Sequence, residues 1–560
     1  MFKAASNFLA VLAVVALSMI STVTTASAVV PFSQPTSIST SMNLVTVIPK
    51  NDESSVLIWR DGSGSTNVLR SSVLHLDGSV TDTSLIFSPA ENERYSVAQQ
   101  NAWTRLSDGS FAITWTTFND MTLDSKLHVA YSDNGTDWSA PVMVGGPYGA
   151  QQGADCMFGC GYREAQIASD GLGRLAIQST VGSSYHEQTF QVQESTDGRT
   201  WSQPTQFGVV SDYIFASTII GQPTGGFINS WVASSQGSST RYVSRTAGSF
   251  VMAWVSPKAI SSVYQVNTGA TLIQSGINEF SVVYVANYNE ADRYAAVVSR
   301  FSTVTKTWSA EQQIMVTGAA DYLTSDIAAT VAADGTVGVV LMSGIDAQSS
   351  ATLHFNTFKN GVIGAKSTPV VAGEVNTFFA GLNANKDNSF SAVYRGVNTG
   401  VKVANFGAGI TTTTQTLPFV SGAFGETVSG ASVNGNIFAV AVSGSQGQFI
   451  AVTQATAPSF TGTPGISGKA KKGAVLAAKA ISFKGLAGFG PTSYQWFACS
   501  SAVPANTLSQ PNNCVPIAKA TAAKFKVTSK QKGKFVTVVV KSRNVIGETT
   551  VFAPSAVKTK

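Results

Sequence analysis

A short polar stretch that ends near a tryptophan recurs along the sequence, and it constrains the fold more than any other feature. The first copy, YSDNGTDWSAP, carries Trp138, and the second, ESTDGRTWSQP, carries Trp201 63 residues later. A degraded third copy, FSTVTKTWSAE, carries Trp308. An Asn-Gly or Asp-Gly pair between two extended runs supplies the positive φ angles of a tight two-residue turn. Each copy therefore predicts a β-hairpin with the tryptophan packed beneath it.

Alternating apolar runs repeat along the chain at intervals of roughly 50 to 60 residues. Each run is accompanied by about three further short apolar runs, and four strands per repeat of this length is typical of a β-propeller blade. We count eight units, or seven if one unit is miscounted. The last unit, 427–456, is short of an outer strand, which the early segment VPFSQPTSIST could supply to close the ring.

The composition agrees with an all-β fold of more than one domain. Only 12% of the residues are charged and 50 are glycine. The sequence also lacks the long charged stretches that form the exposed faces of helices. Charge divides near residue 457: residues 29–456 carry 20 bases and 30 acids, but residues 457–560 carry 15 bases and one acid. We therefore expect a β-propeller at 29–456 and a separate basic domain, with a net charge of +14, at 457–560.

Residues 1–28 have the form of a secretory signal peptide. Lys3 precedes an apolar run at 8–20, and the small-residue tripeptide ASA ends at Ala28. The alternative, an uncleaved anchor helix, is disfavoured because the run is shorter than the ~20 residues that a membrane span needs. We expect a secreted protein, extracellular or loosely associated with a cell wall, without a transmembrane span after cleavage.

The four cysteines form two local pairs, Cys156 with Cys160 and Cys499 with Cys514. In an oxidising compartment this spacing predicts two disulfides. A metal site is disfavoured, because a C-x3-C without a nearby histidine or second cysteine pair cannot complete a tetrahedral ligand set. We predict neither a metal nor a cofactor.

The basic domain has the features of a small β-sandwich: about 100 residues, a central Trp496 and a nearby cystine. Its pattern YQWFAC…CVPIAKAT…FKV…GKFVTVVVKSRNVIG resembles the Ig-like modules of actinobacterial surface proteins. Such a charge would draw the domain to an anionic cell-wall polymer, the alternative being a lysine-coated sandwich without such a partner. Nucleic acid is not expected as a partner of an exported chain.

The repeated stretch, S-x-[DN]-G-x-x-W, resembles the Asp-box, or BNR, repeat of sialidase-like propellers. Tyr131 stands where the family has serine in the first copy, and Asp197 directly precedes the glycine in the second. The resemblance implies a propeller hairpin. It does not by itself imply an activity, because the box of the family lies on the outside of the blades.

An aromatic residue, often beside a carboxylate or an arginine, recurs where the innermost strand of each predicted unit begins. Propeller ligands usually meet the mouth of the central channel, so these side chains could bind a glycan or a surface protein there. Alternatively, the aromatic rings fill the channel as core. The predicted ligand-binding residues are Arg94, Tyr95, Tyr162, Glu164, Tyr213, Tyr264, Asp326 and Phe378.

The sialidase resemblance also implies a second hypothesis, an exo-acting glycoside hydrolase. Sialidases bind the substrate carboxylate with three arginines and use a Tyr–Glu nucleophile pair and an acid/base carboxylate. The stretch YREAQIASDG resembles the family strand that carries the first arginine, which would be Arg163, although Glu164-Ala165 replace Ile-Pro. The remaining catalytic candidates, chosen by position in the blades, are Arg293 and Arg395 for the triad, Tyr322 as nucleophile and Glu187 as acid/base.

The leading hypothesis is a secreted binding protein at the cell surface. Its propeller mouth would recognise a glycan or a protein, and its basic domain would hold it near an anionic envelope. Whether the protein is also an enzyme stays open at this point, because a carboxylate acts as a general acid only if its pKa is raised.

Overall fold

The structure is a computed structural model, and its regular elements are almost entirely β-strands. It describes residues 36–39, 44–51, 54–61, 68–75, 80–81, 83–97, 101–149, 161–184, 187–211, 213–235, 238–248, 253–261, 266–288, 293–316, 322–344, 351–364, 368–385, 388–396, 400–407, 410–416, 427–433, 437–444, 447–452, 459–460, 462–479, 483–484, 493–505, 507–543, 548–555 and 558–560. The signal peptide predicted at 1–28 and the disulfide predicted between Cys156 and Cys160 lie outside the described residues.

The strands before residue 457 are short and close together in sequence, as the apolar runs predict. In chain order the first half comprises β1 (Thr36–Ser39), β2 (Leu44–Asn51), β3 (Ser54–Asp61), β4 (Val68–His75), β5 (Ser84–Phe87), β6 (Glu93–Ser96), β7 (Trp103–Arg105), β8 (Phe111–Asn119), β9 (Asp124–Ser132), β10 (Val142–Gly149), β11 (Gly161–Ser169), β12 (Leu175–Ser184), β13 (Glu187–Ser195), β14 (Thr205–Ser211), β15 (Tyr213–Gly221), β16 (Phe227–Ser235), β17 (Ser238–Arg245) and β18 (Lys258–Ala259).

The second half continues in the same manner. It comprises β19 (Val266–Gly276), β20 (Glu279–Tyr288), β21 (Arg293–Ser302), β22 (Thr307–Trp308), β23 (Gln312–Val316), β24 (Tyr322–Val331), β25 (Val337–Gly344), β26 (Ala351–Lys359), β27 (Val362–Ile363), β28 (Thr368–Ala384), β29 (Phe390–Gly396), β30 (Gly400–Gly407), β31 (Ile410–Thr416), β32 (Thr427–Val433), β33 (Ile437–Gly444) and β34 (Gly447–Val452).

These strands form antiparallel sheets in which sequence neighbours pair. The sheets are β2–β5, β6–β10, β11–β14, β15–β18, β19–β23, an eight-stranded sheet β24–β31, and a sheet of β32–β34 with β1. In the eight-stranded sheet the 17-residue strand β28 pairs with β26 through its first part and with β29 through its second part. It therefore serves as the last strand of one four-stranded unit and the first strand of the next.

Successive sheets contact one another through their first strands. Strands β7 and β8 contact β11, and the contacts continue from β11 to β15, β19, β24, β28 and β32, which contacts β2. The β2–β5 and β6–β10 sheets complete the succession through a shared hydrophobic cluster that contains Val56 and Trp115. Because the succession returns to its starting sheet with the first strands innermost, the fold is a β-propeller.

The predicted closure of the ring is confirmed. Strand β1 pairs antiparallel with β34, with Thr36 opposite Ile450 and Ser39 opposite Gln448. The earliest described strand thereby joins the sheet built by β32–β34. Pairing of this kind fixes the two ends of the ring to each other and leaves no bare edge on β34.

Period-2 alternation explains how one strand serves two cores. In β20, Val283 and Val285 enter the cluster shared with the β24–β31 sheet, whereas Val282 and Tyr284 enter the cluster shared with the β15–β18 sheet. Each of the six hydrophobic clusters formed by the described residues before residue 457 likewise combines residues of two consecutive units. Burying a valine or leucine side chain contributes about 1.5–3 kcal/mol, so packing between sheets stabilises the ring.

The repeated hairpin turns are longer than the two residues that the sequence predicts. Ser132 bridges to Trp138, and Ser195 bridges to Trp201, with five residues between them in each turn. The reason is the serine: its Oγ accepts the Gly135 N–H at 2.8 Å, as Ser195 Oγ accepts the equivalent glycine N–H at 2.8 Å. The positive φ predicted for Gly135 is confirmed, at 83°.

The tryptophans of these turns connect neighbouring sheets. Trp138 Nε1 donates to Ser71 Oγ in the preceding sheet at 2.7 Å. Trp201 and Trp308 likewise pack on clusters shared with the preceding sheet. Another tryptophan, Trp254, was not predicted to belong to this group. It forms a β-bridge with Thr246, and its Nε1 donates to the Glu194 carboxylate of the preceding sheet at 2.7 Å.

The chain after residue 457 has its own sheets and its own hydrophobic clusters. Its strands are β35 (Ser459–Phe460), β36 (Ile466–Ser467), β37 (Val475–Ala478), β38 (Phe483–Lys484), β39 (Ser493–Cys499), β40 (Cys514–Pro516), β41 (Lys524–Lys526), β42 (Phe535–Arg543) and β43 (Glu548–Phe552). The β36-β37-β41 sheet and the β40-β39-β42-β43 sheet share one cluster around Trp496, whose ring is fully buried.

The second predicted disulfide is confirmed: Cys499 and Cys514 are bonded, and they face each other in register on β39 and β40. The Ig-like character of this region stays a prediction. Nowhere in the described residues is there a helix long and apolar enough to cross a bilayer.

Candidate functional site

The predicted site residues with a described backbone lie at one end of the sheets. In an antiparallel sheet the start of the first strand, the end of the second and the start of the third share an edge. Tyr213 and Tyr322 open first strands, Glu187 and Arg293 open third strands, and Arg395 lies near the end of a second strand. We call this edge the starting rim.

The first strands carry β-bulges close to the starting rim. Their register with the second strand shifts between Arg163 and Gln166 in β11, between Phe215 and Thr218 in β15, between Leu323 and Ile327 in β24, and between Val375 and Phe379 in β28. Three predicted ligand-binding residues, Glu164, Asp326 and Phe378, fall inside these shifts. Bulges redirect side chains, and they are common next to functional sites.

Two consecutive bulges have the same backbone geometry. Glu164 has a φ of 49°, and Ala216, one sheet further on, has a φ of 50°. This left-handed conformation is uncommon for residues other than glycine. Because β11 and β15 are in contact, the two bulges lie on neighbouring first strands.

A polar cluster joins these two bulges, and we define it as Arg163, Glu164, Thr180, Tyr213 and Ser217. The Arg163 guanidinium lies 5.8 Å from the centre of the Tyr213 ring, across the gap between the sheets. Thr180 lies directly opposite Arg163 on β12. A guanidinium over an aromatic face is held by the ring quadrupole, and this fixes its orientation without occupying its N–H donors.

The carboxyl group of Glu164 is held between the two sheets. It accepts the backbone N–H of Ser217, and the positive charge of the neighbouring Arg163 acts on it. Burial nevertheless dominates and raises the pKa of Glu164 above its usual value. The proton is thus retained to a higher pH than on a solvated glutamate.

Several polar atoms of the cluster are buried and have no hydrogen-bond partner among the described residues. They are Arg163 Nη1, Thr180 Oγ1, Ser217 Oγ and, beside the cluster, Gln178 Oε1. Unsatisfied buried polar atoms cost about 1–3 kcal/mol each. Several of them at one half-buried place indicate a site that is completed by a ligand or by water.

Glutamine side chains fix the backbone beneath the cluster. Gln166 Nε2 donates to the Ser217 carbonyl at 2.8 Å, and Gln178 Nε2 donates to Gln166 Oε1 at 2.9 Å. All three residues are buried. Phe215 stacks on Tyr213 with the ring centres 5.1 Å apart. The Tyr213 ring is therefore in contact with both Phe215 and the Arg163 guanidinium.

Other predicted ligand-binding residues face away from this cluster. Tyr162 lies edge-on to Tyr148 of the β6–β10 sheet, at 6.3 Å between ring centres. Tyr95 lies under the Arg60 guanidinium, 5.5 Å away, and burial raises its pKa to about 12. Arg94 pairs with Asp120 at 3.1 Å, and both side chains are exposed. Their roles as ligand-binding residues stay predictions.

The side chains of the remaining candidates lie outside the described set. For Glu187, Arg293, Tyr322, Asp326, Phe378 and Arg395 only the strand position is described. Tyr264 lies outside the described residues altogether. The convergence of Arg163, Arg293 and Arg395 on one point therefore stays a prediction, as do the catalytic roles of Glu187 and Tyr322.

Thr180 and Ser217 were not predicted from the sequence. For Ser217 a signal was available, because the stretch YIFASTIIG places serine and threonine in the middle of an otherwise apolar first strand. Chemically, the cluster offers a cation with a free donor, two hydroxyls and a carboxyl with a raised pKa. Among the described residues there is no group of three or more histidine, cysteine or acidic side chains arranged to hold a metal ion.

The fold and this cluster define the class as a β-propeller with a polar site between two of its sheets. No protein-family model matches the sequence, and no curated protein matches it. Solved structures that are similar include an α-L-arabinofuranosidase from Fusarium graminearum, at 14% identity over 60% of this chain and 94% of that one, with a TM-score of 0.33.

Two further similar structures are an α-L-arabinanase from Penicillium chrysogenum and a polysaccharide lyase, Uly1. The arabinanase is 14% identical over 58% of this chain and 97% of its own, with a TM-score of 0.34. The lyase is 9% identical over 74% of this chain and 90% of its own, with a TM-score of 0.38. At these scores the likeness is loose, and the fold assignment rests on the sheet topology.

Proposed function

We propose that the propeller binds a carboxylate-bearing saccharide at the cluster of Arg163, Glu164, Thr180, Tyr213 and Ser217. The observation that carries the proposal is the Arg163 guanidinium: it lies over an aromatic ring, and its buried Nη1 lacks a partner among the described residues. A planar guanidinium with an open donor matches a carboxylate. The hydroxyls of Thr180 and Ser217 match the hydroxyl groups of a sugar ring.

The proposal assigns distinct tasks to the members of the cluster. Arg163 binds the carboxylate of the saccharide, Thr180 and Ser217 exchange hydrogen bonds with its hydroxyls, and Tyr213 holds the Arg163 guanidinium in place through its ring face. A protonated Glu164 would not repel the ligand carboxylate, in keeping with the raised pKa of this residue.

We extend this proposal to the whole protein as a secreted, surface-associated binding protein. In this proposal the propeller has eight blades, the turns around Trp138 and Trp201 are Asp-box repeats, and residues 457–560 form an Ig-like module. The charge of +14 on that module would hold the protein near an anionic cell-wall polymer. Chain closure through β1 supports the eight-bladed arrangement.

A second candidate function is glycoside hydrolysis with Glu164 as the general acid. One observation favours it: burial raises the pKa of this carboxyl, and a general acid must hold its proton near the working pH. An exo-acting enzyme of the sialidase type would in addition need the predicted Arg293 and Arg395 at the same point. Release of a fluorogenic leaving group from glycosides of carboxylated sugars, abolished by Glu164→Gln, would establish this function.

Binding is tested by calorimetric titration of the full chain with trigalacturonate, N-acetylneuraminate and, as the neutral counterpart, trigalactose. Arg163→Ala should weaken binding of the carboxylated probe about 10- to 100-fold, because a hydrogen bond to a charged group contributes about 1.5–3 kcal/mol. Arg199→Ala is the matched control, since Arg199 is exposed on an outer turn and should have no effect. Equal binding of trigalactose, or equal losses in both variants, would refute the carboxylate assignment.

A further inference from the structure

The chain after residue 457 contains a cavity that the proposed function does not use. Its volume is about 430 Å³, and it lies where the β36-β37-β41 sheet meets the start of β42 and the segment after β43. This size is within the range of ligand-binding pockets, about 300–1,000 Å³. The residues that line it are Ile466, Gly468, Lys469, Ala470, Lys471, Leu476, Val536, Pro554 and Lys560.

The floor of the cavity is apolar. Leu476 and Val536 are 3% and 4% exposed, and both belong to the cluster around Trp496 that joins the two sheets. Ile466 packs against the same cluster from β36. The cavity is therefore an opening into the hydrophobic core between the sheets, where an apolar chain would replace water with favourable contacts.

The entrance of the cavity is cationic. Lys469 and Lys471 lie on the turn between β36 and β37, and Lys560 approaches from the other side. The backbone closes this arrangement, because the Lys560 N–H donates to the Ala470 carbonyl at 3.0 Å. All three lysines are exposed, and none of the described residues that line the cavity is acidic.

We propose that this cavity binds an anionic amphiphile, with an apolar chain on Leu476 and Val536 and a phosphate or carboxylate head at the three lysines. An apolar floor beneath a ring of cations fits such a ligand better than it fits an uncharged chain or a small inorganic anion. The head group could belong to a free amphiphile or to a lipid in a bilayer. The site is independent of the saccharide site proposed on the propeller.

Titration of the full chain with decyl phosphate, below its micelle concentration, tests the proposal. Saturable binding at one site is expected. Each methylene removed, from decyl to octyl phosphate, should weaken binding roughly fourfold, because a buried methylene contributes about 0.8 kcal/mol. Decyl maltoside and inorganic phosphate should each bind at least tenfold more weakly, since one lacks the charge and the other lacks the chain.

Charge variants separate the cavity from the general charge of the module. Lys469→Glu with Lys471→Glu should abolish decyl phosphate binding, whereas Lys524→Glu with Lys526→Glu, an equal change of charge on the exposed positions of β41, should reduce it less than twofold. Ala470→Trp, which fills the cavity without changing charge, should also abolish binding. Thermal unfolding and the intact disulfide report that each variant is folded.

Two results would overturn the proposal. One is equal weakening by the two lysine pairs, which would show nonspecific attraction to the module. The other is decyl maltoside binding as tightly as decyl phosphate, which would show an apolar site only. Co-sedimentation of the protein with vesicles containing 30% phosphatidylglycerol separates the two sources of the head group. Vesicle binding that depends on Lys469 and Lys471 indicates a lipid in a bilayer. Binding of dissolved decyl phosphate without binding of vesicles indicates a free amphiphile.

Discussion

Replacement of Asp170 by alanine should strongly destabilise the propeller. Asp170 follows β11, and its side chain is fully buried. One carboxylate oxygen accepts the backbone N–H groups of Leu172 at 3.0 Å and Arg174 at 2.9 Å. The other accepts Arg174 Nη2 at 2.6 Å and the Gly226 N–H of the next sheet at 2.8 Å.

The expected cost of Asp170→Ala is about 3–5 kcal/mol, the range for removing one partner of a buried ion pair. The substitution leaves the Arg174 side chain, which is only 10% exposed, without its counter-charge. It also removes a contact between two sheets where the backbones are already close: a Cβ on Gly171 would lie 1.8 Å from the Pro223 carbonyl oxygen. Asp170→Asn, which keeps hydrogen-bonding atoms but not the charge, should cost less.

The measurement is urea-induced unfolding at neutral pH, followed by tryptophan fluorescence. Asp108→Ala is the matched control, because Asp108 occupies the corresponding turn of the preceding sheet but is exposed and accepts the N–H and O–H of Ser110 within the turn. Its cost should stay below about 1 kcal/mol. Equal costs for the two substitutions, or a cost below 1 kcal/mol for Asp170→Ala, would refute the assignment of a buried bridge between the sheets.

Three further predictions follow from other contacts. Burial raises the pKa of Glu194 from 4.5 to about 7, although the hydrogen bond from Trp254 opposes this rise. Between pH 4.5 and 7 the folded state therefore holds a proton that the unfolded state has lost, and the free energy of unfolding should fall as pH rises. Glu194→Gln should remove this pH dependence in urea titrations at several pH values. Replacing both Cys499 and Cys514 by serine opens a loop with a sequence separation of 15 and should cost about 3 kcal/mol, measured as a lower urea midpoint of the fluorescence change of Trp496. Deleting Thr36–Ser39 should bare the edge of β34 and cause association that size-exclusion chromatography detects.

The sequence predicted the strands and their pairing, because these follow from the repeated pattern. It did not predict the side-chain contacts between one repeat and the next. The pairing of β1 with β34 was predictable because the last unit lacks a strand and VPFSQPTSIST is extended in character. The bond between Trp138 and Ser71 was not, since a hairpin motif does not reveal which sheet covers its tryptophan. The turn length was predicted wrongly, because the Asx-Gly pattern alone does not show that Ser132 accepts the Gly135 N–H.

The sequence predicted which strands carry the site residues, but it did not predict the direction in which each side chain points. Arg163 and Tyr162 were predicted together at the start of β11, and the structure directs them to opposite neighbouring sheets, as strand alternation requires. Beyond Arg163 the bulge breaks the alternation, so the direction of Glu164 could not be derived from a period of two. Ser217 was missed for the same reason.

The bulges explain how strands with apolar faces present polar groups at the starting rim. A left-handed residue other than glycine costs about 1–2 kcal/mol, yet the conformation recurs at Glu164 and Ala216. In return, the bulge of β11 brings the Glu164 carboxyl to the N–H of Ser217, directly after the bulge of β15. Regular strands would instead continue the apolar alternation up to the rim. The strain therefore lies directly beside two unpartnered polar atoms, since Glu164 follows Arg163, whose Nη1 lacks a partner, and Ala216 precedes Ser217, whose Oγ lacks one; strained backbone accompanies functional sites in other proteins.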